Sequence, residues 1–175
     1  MFISPGSIIS TCVVMPDGFT HCLVGLVACL SWDMRGAKYY LLAVFLSLMP
    51  DIDAFTPWHR ALLHSALSLT VLAVVLARVM LKLGYTSDET RRMIYLPFVH
   101  VLMDSLTGGM PVKPLYPLTD AGVQLDWAVD QVVKPILSIS PYGYYLEVIR
   151  VSVVFLIVTL AFMATGHRGK KSDRG

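Results

Sequence analysis

The sequence predicts an all-α fold, a polytopic helical membrane protein with about five transmembrane or membrane-embedded helices. Three observations lead there. Of the 175 residues, 55% are hydrophobic and only 15% charged, with a mean hydropathy of +0.65, whereas an average soluble domain is about 25% charged. The apolar residues gather into long runs separated by polar or Pro/Gly-rich connections. Lysine and arginine are shared unevenly between those connections, as they are across a bilayer.

Residues 1–19 carry no basic residue and include Pro5, Gly6 and Pro16, which is unlike a secretory signal and reads as a leading loop. The first apolar segment then runs from about Thr20 to Trp32 and the second from about Lys38 to Met49, where Pro50 closes it. Thr56-Pro57 has the form of an N-cap followed by proline in the first turn, ahead of a third segment from Ala61 to Leu83. Gly84 to Arg92 is polar and breaks the chain before the fourth segment, Met93 to Leu106. From Gly108 to Tyr145 prolines and glycines recur, as in an extramembrane lobe with short helical pieces. The fifth segment, Leu146 to Thr165, precedes a basic tail. The third and fifth approach the roughly 20 residues a span requires.

The whole of 1–175 therefore reads as one membrane domain. It divides into an N-terminal loop (1–19), a four-helix metal-binding core (20–106), an outer lobe (107–145), a last transmembrane helix (146–165) and the tail (166–175). Arg35, Lys38, Arg78, Lys82, Arg91, Arg92, Arg168, Lys170, Lys171 and Arg174 fall on one side of this topology, against Arg60, Lys113, Lys134 and Arg150 on the other. The richer side is cytoplasmic by the positive-inside rule. The expectation is a multi-pass protein of the inner or plasma membrane, N-terminus outside and C-terminus cytoplasmic. A net charge of +2 excludes disorder and a basic nucleic-acid binder, so no nucleic-acid partner is expected. Cys12, Cys22 and Cys29 fit neither a zinc ribbon nor a disulfide framework.

On that topology His21, Asp51, Asp53, His59, His64, His100 and Asp104 converge on the outer side, although only lysine and arginine set the orientation. Imidazoles and carboxylates near hydrocarbon are costly unless paired, metal-bound or facing a wet cavity. His100 and Asp104 are four apart and share a helix face, a spacing suited to one zinc-like ion. Asp51 and Asp53, in an extended segment, would point the same way, and one could bridge two ions. His59 and His64 lie about 140° apart round a helix and would not share an ion. Arg60 and His64 would share a face, placing a guanidinium where it could hold a phosphate or carboxylate. Asp126 and Asp130, also four apart, read as a solvated helix face.

Thr20-His21, Pro50-Asp51-Ile52-Asp53, His59-Arg60 and His64-Ser65 stand in that order, followed by His100-Val101-Leu102-Met103-Asp104-Ser105-Leu106-Thr107 with Gly108 and Pro117. Together they resemble the YdjM-like family of inner-membrane proteins, described as membrane-bound metal-dependent hydrolases, over roughly residues 20 to 118. Ala61 departs from the pattern, where the family commonly has glycine. A fainter likeness is to the zinc-dependent phospholipase C and P1 nuclease group. By it, His64, His100 and Asp104 would hold one ion, Asp51 or Asp53 would bridge, and His21 would help a second. The group's downstream ligands have no counterpart here, which implies one or two ions.

The resulting expectation is a metal-dependent hydrolase using a divalent ion, zinc by preference, on a phosphate ester or phospholipid-like substrate. Asp53 or Asp51 would accept the proton of the attacking water, and Arg60 would steady the anion. The partners are then membrane lipid and a small-molecule or lipid phosphate ester. The rival readings are a non-catalytic membrane protein with a structural metal, and a small transporter. Against the transporter, the midsection Leu67–Ala77 offers only Ser68 and Thr70 as polar residues.

Overall fold

A computed structural model describes residues 18–56, 61–107, 111–137 and 146–172, with backbone alone at 54–55, 132–137, 146–148 and 165–172. The elements are α1 (Gly18–Ser31), α2 (Ala37–Leu48), a 3-10 helix (Met49–Phe55), α3 (Ala66–Lys82), α4 (Ser87–Met93), α5 (Leu96–Thr107), α6 (Asp126–Leu137) and α7 (Leu146–Ser172). An isolated antiparallel bridge joins Val112 and Val123. The described chain is all-helical, in line with the predicted class.

α1 and α2 form a hairpin whose turn needs Gly36, at φ 118°, because a side chain is rarely accommodated there. They pack closely at Gly25. A Cβ on it would sit 2.5 Å from Ser47 Oγ and 2.9 Å from the Ala43 carbonyl. Around this pair α5 and α7 enclose a core that includes Ala28, Cys29, Leu46, Leu96, Met103 and Val154.

Local capping sets the remaining boundaries. The third apolar run is helical only from Ala66, because Ser65 caps the helix by accepting the Ser68 amide at 3.0 Å, and the Ala66 amide is taken by the Pro114 carbonyl at 2.8 Å. Residues 61–65, His64 included, form the turn before α3, so His64 is not on a helix face, and Arg60 lies outside the described residues. The expected helix start after Thr56 falls at Pro57, outside the described residues. Thr56 itself ends the 3-10 helix in extended backbone, its amide bonded to the Asp53 carbonyl at 2.9 Å. The fourth segment is divided, its first residue ending α4, Ile94 and Tyr95 forming a turn, and the rest lying in α5, which carries Pro97 in its first turn.

None of the five expected spans is shown by these helices. Among the described residues no helix is long and apolar enough to cross a membrane. The 17 residues of α3 cover only about 26 Å, against the roughly 30 Å of a hydrocarbon core. The helices nonetheless expose apolar side chains. α3 presents Leu67, Val71, Val74 and Val75 outward and buries only Leu69 and Met80, while α7 exposes Leu156, Ile157 and Leu160.

The polar stretch 84–92 is not merely a break, because it holds α4. Thr86 Oγ1 accepts the Glu89 amide at 3.2 Å and Glu89 Oε2 accepts the Thr86 amide at 2.7 Å, a complete capping box. The Tyr39 hydroxyl donates to the other Glu89 oxygen, and that bond, then the Thr86 amide, hold the carboxyl below its ordinary value. A depressed carboxyl contributes stability above its ordinary pKa, about 4.3, and loses it as pH falls through the lowered value. Thr86→Ala is expected to cost about 1 kcal/mol, read as a lower thermal midpoint at pH 7. α6 carries a second correction. Asp130 is not on a solvated face but buried against Arg150 of α7.

Candidate metal centre

α5 is the platform. His100 and Asp104, one turn apart, face the α1–α2 pair, and both are buried. The last carbonyls of a helix lack intrahelical partners, and α2 offers one of its own, Ser47 O, which accepts from His100 Nδ1 at 2.6 Å. A carbonyl can only accept, so Nδ1 carries the hydrogen and Nε2 points inward. That Nε2 lies 3.3 Å from Asp51 Oδ1 and 3.7 Å from Asp104 Oδ2, yet it is buried and makes no hydrogen bond among the described residues.

The other groups close around the same point. His64, in the turn before α3, sets Nε2 3.2 Å from Asp104 Oδ2 and 4.0 Å from Asp51 Oδ1. Its Nδ1 faces Asp53 Oδ2 at 3.1 Å, and the same oxygen accepts the Leu63 amide at 3.1 Å. His21, one turn into α1, stacks on His100 with centroids 3.7 Å apart and brings Nε2 to 3.2 Å from Asp104 Oδ1. Neither of its buried ring nitrogens has hydrogen-bond geometry to a partner.

Asp51 and Asp53 are not in an extended segment but on the 3-10 helix after Pro50. At three residues per turn, two positions apart do not point the same way, and the two carboxylates part. Asp51, about one-third exposed, reaches His100, while Asp53, only 1% exposed, takes the far side of His64. His59 and Arg60 lie outside the described residues. Sequence reasoning passed over Ser47, because its contribution is a main-chain oxygen.

One ligand atom each from Asp51, His64, His100 and Asp104 lies within 4.8 Å of the others. Lone pairs of imidazole nitrogen facing carboxylate oxygens repel in a low dielectric unless a proton or a metal cation lies between them. Two imidazoles and two carboxylates are a donor set that zinc accepts. The buried, unbonded Nε2 atoms of His100 and His21 are the feature that such an ion accounts for. Asp53 behind His64, and Ser47 O behind His100, occupy the places of the outer partners that orient ligating histidines.

The family described as YdjM inner membrane protein matches residues 15–171, from ahead of α1 to the penultimate residue of α7. The match is wider than the 20–118 stretch of the sequence resemblance and takes in α6 and α7. No curated protein and no solved structure matches the chain.

Proposed function

The chain belongs to the YdjM inner membrane protein family, and from that premise we propose a membrane-bound metal-dependent hydrolase acting on a phosphate ester or phospholipid-like substrate. The observation that carries this reading is the inward, unbonded Nε2 of His100, fixed by Ser47 and set among carboxylate oxygens. Asp51, His64, His100 and Asp104 would hold a divalent ion, zinc by donor type, with His21 against Asp104 and available to a second. Such an ion supplies Lewis acidity, lowering the pKa of water towards neutrality and polarising a phosphoryl oxygen.

The chain's own groups then divide the work. Asp51, at the more exposed edge, accepts the proton of the attacking water. Asp53 already accepts from Leu63 and faces His64, so it positions that imidazole rather than acting as a base. Arg60 and His59 stand in the connection leading to His64, where a guanidinium suits the substrate's anionic group. The exposed apolar faces of α3 and α7 lie against lipid. The excess of lysine and arginine in the connections at 33–38 and 78–92 and in the tail puts those segments in the cytoplasm, with the N-terminus outside.

A structural metal site is the second reading, favoured by the same four convergent protein donors, since a closed site has all its positions filled. Metal analysis of purified wild-type protein, followed by turnover of a phosphodiester and of phospholipid, separates the two. Bound metal with turnover supports the hydrolase, and bound metal without it supports the structural site. Asp53→Asn is expected to weaken metal binding about 10–100-fold, as loss of an outer partner does. Unchanged affinity would remove Asp53 from that role.

A further inference from the structure

α5 has a second face. Tyr95, Phe98, Val99 and Leu102 recur every three or four residues along it, which places them on one stripe roughly opposite His100 and Asp104. With Trp32 and Phe162 this stripe lines a groove of about 580 Å³, within the range of about 300–1,000 Å³ for ligand sites. Trp32 and Phe162 meet edge to face at 5.1 Å, and the lining is apolar apart from Arg91 and Arg92 at one end.

A second cavity, of about 640 Å³, adjoins it and is polar, lined by Asp33, Arg35, Tyr39, Asp88 and Glu89. Trp32 and Arg92 line both cavities, so the apolar groove and the polar one lie side by side about these two side chains. Charge is ordered along that path. Arg91 and Arg92 share the single Asp88 carboxylate, at 2.9 and 2.7 Å, which leaves positive charge in excess at the junction. Farther out, Glu89 takes its hydrogen bonds from neutral donors, the Tyr39 hydroxyl and the Thr86 amide, and Asp33 is matched by Arg35 at 2.9 Å. Among the residues that line the two cavities, the order from the groove outward is therefore apolar, positive, then net negative, with the Lys38 ammonium nearby, 4.5 Å over the Tyr39 ring.

We propose that this path binds one phospholipid of the ethanolamine type, its acyl chain in the groove, its phosphate at Arg92 and its ammonium against Glu89. The order of charges in that headgroup, phosphate next to the tail and ammonium beyond, is the complement of the order in the protein. A glycerol headgroup brings hydroxyl donors but no positive charge to the outer carboxylate, and a choline cannot donate hydrogen bonds to it. The site lies on the opposite face of α5 from the histidine–aspartate cluster and does not depend on the hydrolase reading.

The test is to reconstitute the full chain in nanodiscs of equal phosphatidylethanolamine, phosphatidylglycerol and phosphatidylcholine with identical chains, then release it into detergent and count retained lipid by native mass spectrometry. About one phosphatidylethanolamine per chain is expected to survive. Arg92→Gln, and Leu102→Trp, which fills the groove from a half-exposed position, each lower retention about tenfold or more. Glu89→Gln keeps the capping bonds, since glutamine also closes a capping box. It abolishes the preference for ethanolamine while lipid is still retained. Helical circular dichroism establishes that each variant is folded. Retention of the three lipids in equal proportion, retention undiminished in folded Arg92→Gln and Leu102→Trp, or a second copy of the chain in place of lipid would each overturn the proposal.

Discussion

Asp104→Asn is expected to lower metal affinity by at least about 100-fold and to take any phosphoester turnover to background with it. Among the described residues Asp104 is the one carboxylate within 4 Å of His21, His64 and His100 alike, with Oδ1 at 3.2 Å from His21 and Oδ2 at 3.2 and 3.7 Å from His64 and His100. Asparagine keeps its volume and removes the charge, so packing in the core of α5 is preserved and the electrostatic change is isolated. The second readout is thermal. Metal at about 100 times its dissociation constant stabilises a folded protein by about 2.7 kcal/mol. Wild-type protein should gain that margin with metal and lose it with chelator. The asparagine variant should respond to neither. Full metal content in the variant would remove Asp104 from the site, whatever happened to activity.

What the sequence discloses about this site is the part that follows from periodicity. His100 and Asp104 meet because four residues is about one helical turn, and α1 and α2 begin and end within a few residues of their apolar runs. What it conceals is decided by groups with no distinctive side chain or by competition between local signals. The oxygen that orients His100 is the main chain of Ser47, and any residue type could have supplied it. The apolar run from Ala61 suggests a helix longer than α3, but the hydroxyl of Ser65 captures the Ser68 amide and the helix starts there, leaving His64 in a turn free to face two carboxylates. Hydropathy also hides α4, whose Thr86-Ser87-Asp88-Glu89 start is a helix signal written in polar residues. Asp51 and Asp53 diverge because proline begins a 3-10 helix instead of releasing an extended strand. Each of these turns on hydrogen bonds of about 1 kcal/mol, too small to register in apolar periodicity yet sufficient to fix a boundary.

The largest effect on stability is expected far from the cluster, at Asp130→Ala. Asp130 on α6 and Arg150 on α7 form an ion pair with side chains only 8% and 9% exposed, twenty residues apart in sequence and so invisible to helical spacing. Removing the carboxylate takes a counter-charge from a buried guanidinium, which costs on the order of 3 kcal/mol. The control is a pair of the same chemistry in water. Lys113 and Asp120 lie 3.0 Å apart with side chains 36% and 81% exposed, and exposed pairs contribute about 0–1 kcal/mol. Asp120→Ala should therefore barely move the thermal midpoint. The double variant Asp130→Leu with Arg150→Met should recover most of what Asp130→Ala loses, because a buried pair replaced by apolar side chains gives up attraction and desolvation together. If Asp130→Ala shifts the midpoint no more than Asp120→Ala does, the pair is solvated and α6 is not anchored to α7 through it.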